Sequence, residues 1–307
     1  TKWTGRLQRG QVRQMVEDAV CAAFAEPQGP AYIGLPAGLG AEAEIDGPFE
    51  ARQPTAPAAP AEEAMAALEE AIRRARRPLF AFGLTAARQR MSLWAQRAVE
   101  NLAAPAVCTP MAKGLIPEWR SLFAGVLAHA GSDIVAQTIA QADLILAIGF
   151  DPVEINYEDW AAQSPVWHVD VAPADADRAR VEIAGEIVGD LEAALRRLAA
   201  MAPPPASEWD INEIDARRHA MFRLLRPPES GGFGPRAALA ALREVLPEGA
   251  VFCCDVGAHL HLAGQQWRGP ILMTNGWSSM GFAIPAALAA KLADPQREVC
   301  AVCGDGG

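Results

Sequence analysis

Gly304-Asp305-Gly306 is the sharpest chemical signal in the sequence. It follows an apolar run that reads as a strand over 298–303, and parallel α/β sheets gather ligands at the carboxyl ends of their strands. Glycines there let the backbone approach a phosphate group and take up positive φ. An aspartate between them offers oxygen to a hard cation such as Mg2+, which often bridges a carboxylate and a phosphate. By itself the tripeptide reads equally as a tight surface turn. Two further turns shift that balance. Asp255-Val256-Gly257-Ala258-His259 follows an apolar strand at 251–254, and Gly276-Trp277-Ser278-Ser279-Met280-Gly281 leads into a helix over 282–293. Three glycine-bearing turns within roughly fifty residues fit one ligand spanned by several strand ends.

Other reactive residue types have plainer readings. Cys300-Ala301-Val302-Cys303 is a C-x-x-C, but it lies in an apolar strand, not at a helix N-terminus where a thiolate is stabilised. Two packed cysteines is the reading taken. Joining them with Cys253-Cys254 into a four-thiolate zinc site is opposed by the opposite facing of adjacent strand residues. His259 and His261 share a strand-like face and could form a metal pair; His259 near a diphosphate with His261 as filler is preferred. His129, His168 and His219 have no partner nearby in sequence, and structural roles are expected. Arg73-Arg74-Ala75-Arg76-Arg77 reads as the solvated last turn of a helix, favoured by its dipole. Lys113-Gly114 reads as loop.

The elements that must position these residues alternate. A helix over 11–25 and a strand over 31–35 make one αβ unit. Prolines at 48, 54, 57 and 60 mark an extended linker. Then come helix 61–75, strand 79–82, helix 89–103, strand 106–109, helix 132–141, strand 144–148, strand 166–169, a short strand near Ile183 and helix 190–200. Such alternation implies parallel sheets covered by helices on both faces, an α/β fold. The run Leu144-Ile145-Leu146-Ala147-Ile148 suits a central strand. Pro203-Pro204-Pro205 marks a second boundary before a helix over 208–224. From 234 the pattern restarts with helix 235–246, strand 251–254, strand 271–274, helix 282–293 and strand 298–303. The expected parts are 1–45, a linker 46–60, a Rossmann-like domain 61–200, a linker with one helix 201–230, and a last domain 231–307. A βα unit cut after its Gly-rich turn, and a first part too small to stand by itself, read as a fragment of a longer chain.

Composition narrows the function classes. The 307 residues carry 27 Lys+Arg against 37 Asp+Glu, a net charge of −10. A chain so acidic is a poor nucleic-acid binder, and no nucleic-acid partner is expected. No apolar run reaches the ~20 residues of a membrane span, and no membrane association is expected. Six cysteines spread through a chain of this size suit reduced thiols in a cytoplasm better than a secreted disulfide framework.

The order D-V-G-x-H, then G-x-x-S-M-G-F-A-I-P-A-A, then V-x-A-V-x-G-D-G resembles the diphosphate-binding domain of thiamine-diphosphate enzymes of the acetolactate synthase large-subunit type. Arg77-Pro78-Leu79 through Gly83, Thr109-Pro110-Met111-Ala112-Lys113-Gly114-Leu115-Ile116-Pro117-Glu118, the run 142–149 and Val169-Asp170 resemble its middle domain. Gly29-Pro30 through Leu35-Pro36 resembles the closing strand of its pyrimidine-binding domain. The likeness spans nearly the whole chain.

The resemblance implies a Mg2+- and thiamine-diphosphate-dependent enzyme, a transferase or lyase of 2-oxoacids that decarboxylates and then joins them. Asp305 would ligate Mg2+, with Gly304, Gly306 and Gly307 near the diphosphate. Val256, Gly257, Ala258 and His259 would line the same end. The Ser278 carbonyl would accept from the aminopyrimidine amine, and Met280 would hold the cofactor bent, so that its own amine reaches the thiazolium carbon. The glutamate that the family uses from its first domain, and a second Mg2+ ligand beyond Asp305, match no position here. The resemblance therefore assigns no catalytic side chain to this chain and implies no activity for it in isolation. Gly149-Phe150-Asp151-Pro152-Val153-Glu154 with Trp160 looks like the flavin-independent branch, so FAD is not expected. The family's dimers and tetramers imply a homodimer or homotetramer for the parent protein. Three other readings stay open: a simple 2-oxoacid decarboxylase, a relative acting on sulfonated or CoA-linked substrates, and a non-catalytic nucleotide-binding or assembly module. A nicotinamide dehydrogenase is disfavoured, because no strand-to-helix turn gives a clean G-x-G-x-x-G.

Overall fold

The computed structural model describes residues 1–43, 52–155, 160–161, 163–203, 207–227, 232–275 and 278–307. Two compact units divide the chain, 1–59 and 60–307.

The first unit holds β1 (Trp3–Arg6), α1 (Val12–Phe24) and β2 (Ala31–Gly34). β1 and β2 pair in parallel, Trp3 opposite Ala31. β1 is not foreseen from sequence, since a four-residue segment with Gly5 and Arg6 has little strand propensity of its own. Its partner makes it a strand. Lys2 Nζ donates to the carbonyls of Ala25 and Pro27, both at 2.8 Å, tying β1 to the end of α1. Val16, Val20 and Phe24 of α1 stay exposed, so one αβ unit buries little of its own apolar surface. Of the expected linker, 46–51 falls outside the described residues, and 52–60 form no helix or strand.

The second unit runs α2 (Glu62–Arg74), β3 (Pro78–Phe82), α3 (Leu84–Arg88), α4 (Ser92–Leu102), β4 (Ala106–Cys108), β5 (Phe123–Val126), α5 (Ser132–Ile139), β6 (Leu144–Ile148), β7 (Val166–Asp170), β8 (Ile183–Val188) and α6 (Leu191–Ala200). It continues with α7 (Ile211–Leu224), α8 (Pro235–Val245), β9 (Val251–Cys254), α9 (Ala258–Gln266), β10 (Ile271–Met273), α10 (Ala283–Ala293) and β11 (Val299–Val302).

Six parallel strands stand in the order β5-β4-β3-β6-β7-β8. The order reverses between β3 and β6, the arrangement of a doubly wound Rossmann-like sheet. Every residue of β3 and of β6 is buried, as their unbroken apolar runs require of central strands. Alternate side chains feed two cores. Phe80 and Phe82, stacked at 5.4 Å, pack with Leu68, Ile72, Leu102 and Leu195, while Leu79, Ala81, Ile145 and Ala147 pack with Ile139 and Trp209. Trp209 also donates its ring N–H to the Pro78 carbonyl at 2.7 Å, which seats the start of α7 against this sheet.

Two boundaries differ from the sequence reading. The helix expected over 89–103 is α4, set off from α3 by Arg90 at φ 59. The edge strand β5 was not foreseen. Its Gly125, at φ 128, masks the strand pattern, and the β4–β5 register shifts at Ala106/Val107. A second, three-stranded parallel sheet has the order β10-β9-β11. Its core centres on Phe252 stacked on Trp267 at 4.4 Å, with Leu239, Leu260 and Ile271.

Side chains tie the two sheets together. Gln265 of α9 presents its amide to the open edge of β5, accepting from Val126 N at 3.1 Å and donating to Val126 O at 2.6 Å. Lys113 lies in a turn, as the loop reading expects, yet its side chain is not solvated. It is buried and donates to Glu118 at 2.8 Å, and Glu118 accepts from Gly269 N at 3.2 Å. Gly114, at φ 88, lies where a Cβ would stand 2.7 Å from Pro270 N.

Candidate functional site

β9, β10 and β11 run in register. Cys254 pairs with Met273 on one side and Val302 on the other, so the three carboxyl ends finish level. The turns that follow them therefore open onto the same edge of the sheet.

Asp255, the first residue past β9, is buried and organises that edge. Its carboxylate accepts from Ala283 N at 2.8 Å and Gly281 N at 3.2 Å. Two charge-assisted bonds fix the turn before α10 and complement that helix's positive end. A Cβ at Gly307 would stand 2.4 Å from Asp255 Oδ2, so the last turn also closes on this carboxylate. The sequence reading quoted Asp255 in its motif but gave it no role. The one signal in the sequence was an acid placed directly after an apolar strand, at the start of a glycine-bearing turn.

The expected residues assemble around it. Gly257 precedes α9, and Ala258 begins that helix, exposed in its first turn. Val256 packs on the core of the three-stranded sheet. His259 turns back toward the β11 turn, with Cε1 3.5 Å from where a Gly304 Cβ would be. Its Nε2 is buried and has no partner among the described residues. Ser278 sits at φ 50, a left-handed conformation unusual for a residue with a side chain. The exposed Met280 lays its methyl over Gly306, where a Cβ would stand 2.3 Å away. Asp305 is exposed at the tip of the final turn. Gly276 and Trp277 lie outside the described residues.

These features fit a diphosphate and its cation. Gly304, Gly306 and Gly307 form a cradle that side chains would fill. The unpartnered His259 nitrogen is a hydrogen-bonding atom waiting for a ligand. The exposed Asp305 carboxylate is oxygen of the kind a hard cation accepts. Among the described residues no three His, Cys, Asp or Glu gather where they could hold a metal ion.

The cysteines and histidines take the plainer readings. All six thiols are free. Burial pushes Cys254 up to about 12, an inert thiol. His259 and His261 lie on α9, not on a strand, so two positions apart they point to different sides. That removes the metal-pair reading. His261 instead stacks edge-on against His129 at 5.3 Å. Arg73 and Arg74 pair with Glu69 and Glu70 at the solvated end of α2.

A second strand-end crevice lies where β3 and β6 part, and a side chain of the chain itself occupies it. Glu154 accepts from Thr109 Oγ1 at 2.5 Å, Leu84 N at 2.8 Å and Asp151 N at 3.5 Å. Burial pushes its carboxyl up to about 7 against those bonds. Close beside it, Phe150 stacks on Trp160 at 4.3 Å.

A Rossmann-like sheet, followed by a second parallel sheet whose strand ends finish level beside glycine-bearing turns, is the architecture of a cofactor-dependent α/β enzyme class. Residues 65–198 match the thiamine pyrophosphate enzyme central domain, and 253–307 match the C-terminal TPP-binding domain of the same enzymes. The chain belongs to the thiamine pyrophosphate enzyme family. It is 29% identical to the acetolactate synthase large subunit of Parasynechococcus marenigrum, over 95% of this chain and 49% of that one. It is 27% identical to the catabolic acetolactate synthase of Raoultella terrigena, over 96% of this chain and 54% of that one. The chain thus spans about half the length of these relatives. An X-ray structure from Mycobacterium smegmatis, described as of a thiamin diphosphate-dependent type, superposes with a TM-score of 0.77 at 22% identity, covering 99% of this chain and 60% of that one. That last likeness speaks to the fold.

Proposed function

We propose that this chain holds the diphosphate end of thiamine diphosphate, with Mg2+, for an enzyme that decarboxylates 2-oxoacids and joins them to an acetolactate-type product. The observation that carries this reading is the convergence of three strand-end turns on a glycine cradle beside the unpartnered His259 nitrogen. Asp305 would ligate the cation, and Gly304, Gly306 and Gly307 would let phosphate oxygens reach the backbone. Val256, Gly257, Ala258 and His259 would line the diphosphate. Met280 would brace the cofactor from below, and the Ser278 carbonyl would accept its amine. When bound, the cofactor supplies the electron sink that a 2-oxoacid needs to lose carbon dioxide. The chain's own residues bind and orient, and no side chain among them is assigned to move a proton. The chain in isolation is therefore expected to be inactive, and the parent protein to work as a homodimer or homotetramer in the cytoplasm. Among the described residues no helix is long and apolar enough to cross a membrane.

The reading extends to independence from FAD. Its support is Glu154, whose carboxylate fills the crevice between β3 and β6 where such sheets take a dinucleotide. A visible flavin band in the purified protein would count against it.

The test is calorimetric titration with thiamine diphosphate. Binding should require Mg2+, and Asp305→Ala should weaken it at least tenfold with the unfolding midpoint unchanged. Binding that ignores both Mg2+ and Asp305→Ala would sink the assignment. Turnover of pyruvate by the isolated chain would overturn the expected inactivity and leave the binding assignment intact.

A further inference from the structure

Four arginines share one cavity of about 420 Å3 bounded by α7, α8 and the segment after α9. In a chain of net charge −10 that concentration calls for a cause. Arg218, on α7, is already engaged. It pairs with Asp215 and donates to the carbonyls of Glu118 at 3.1 Å and Arg120 at 2.6 Å. Arg226, Arg243 and Arg268 have no ion pair or side-chain hydrogen bond among the described residues. The acids nearby, among the described residues, are committed elsewhere. Glu118 lines the cavity, but its carboxylate takes Lys113 Nζ and Gly269 N. Asp215 serves Arg218 and, at 3.1 Å, His219. Burial, and then the like charge of Arg268, push the Arg243 guanidinium below its ordinary range. Among the described residues the cavity therefore carries an excess of positive charge that Glu118 offsets only in part, a locally unfavourable arrangement of the kind proteins keep at binding sites.

Two more features narrow what would balance it. Trp119, at the rim, is 59% exposed and offers a flat aromatic face beside the arginines. Gln266 is buried. Its amide nitrogen donates to the Arg236 carbonyl at 3.0 Å, while its Oε1 has no partner. That leaves an acceptor for a hydroxyl or amine. The volume falls within the ~300–1,000 Å3 of small-ligand clefts.

We propose that this cavity binds a nucleoside diphosphate, its phosphates on Arg226, Arg243 and Arg268, its base against Trp119, and a sugar hydroxyl or base amine on Gln266. Guanidinium forks match phosphate oxygens two at a time, and a base stacks on an indole face. The site is separate from the cofactor turns. Those lie at the start of α9 and this cavity at its other end, about 13 Å away along a nine-residue helix. The inference does not rest on the proposed activity.

The test is calorimetric titration with ADP in EDTA, where no Mg2+ serves the Asp305 turn. ADP should bind in the micromolar range, and added salt should weaken it. The Arg243→Gln/Arg268→Gln double variant should weaken it at least tenfold, while Asp305→Asn should leave ADP affinity as it was. Pyrophosphate should bind less tightly than ADP, and Trp119→Ala should erase the difference. Because the two arginines have no ion pair or side-chain hydrogen bond among the described residues, the double variant should unfold at the same urea concentration as the parent or higher. Should it unfold earlier, Arg226→Gln, at an exposed position, carries the same expectation. No binding at millimolar ADP, or binding that survives the arginine changes, would overturn the proposal. Pyrophosphate binding as tightly as ADP would overturn the assignment of a base to Trp119.

Discussion

Asp255 shows how one buried side chain can serve both stability and site geometry. Its carboxylate holds Gly281 N and Ala283 N, and with them the turn that carries Met280 and Ser278. Asp255→Ala leaves two N–H groups without their acceptor and is expected to cost about 2–3 kcal/mol, read as a lower urea midpoint. An unchanged midpoint would mean the turn does not depend on this anchor. Gly306→Ala should behave differently. Its new Cβ meets only the tip of the exposed, flexible Met280. Stability should change by less than about 0.5 kcal/mol, while thiamine diphosphate binding weakens severalfold as Met280 is displaced. At this scale the sequence made visible the glycine-bearing turn Gly304-Asp305-Gly306, because residue type and spacing are local. Asp255 was harder to assign, because its partners lie 26 and 28 positions further along.

Among the elements, the parting of β3 and β6 has the clearest consequence. Gly83 and Gly149 follow those strands; a Cβ on Gly83 would lie 2.5 Å from the Gly149 carbonyl oxygen, and one on Gly149 would lie 2.4 Å from Ala86 N of α3. That closeness leaves room for Glu154 and little else. With its carboxyl pushed up to about 7, Glu154 is protonated in the folded state at pH values where the unfolded chain has released the proton. The stability linked to that proton is full below pH ~4.5 and is lost as the pH rises through ~7. Glu154→Gln removes this loss. Between pH 5 and pH 8 the parent should lose about 2 kcal/mol more than the variant, measured by urea unfolding at each pH. Parallel pH curves for the two proteins would refute a buried, proton-holding Glu154. His129 works with the opposite sign. Burial, then His261 and Lys113, hold it down to about 3, so its contribution is present above pH ~6.5 and fades as the pH falls. Helices and central strands were legible because their periodicity is local. β1 and β5 were not, because short strands with glycine become strands only when a neighbour pairs with them.

For the whole second unit, the decisive contacts lie between its two sheets. Lys113 and Glu118 are almost without solvent, and removing one charge strands the other. Lys113→Met should cost about 3–5 kcal/mol. Adding Glu118→Gln should recover most of it, since a glutamine oxygen still accepts from Gly269 N. A double variant as unstable as the single one would show that the pair is not what Lys113 contributes. Sequence by itself determined the parallel α/β character, the family resemblance and the glycine-rich turns, because backbone periodicity and the steric demands of glycine act over a few residues. Only the tertiary structure decided that Asp255 anchors the site, that Glu154 fills the other crevice, that Lys113 is buried, and that four arginines from distant segments face one cavity. Those outcomes depend on desolvation and charge between groups tens of residues apart, which no local pattern records.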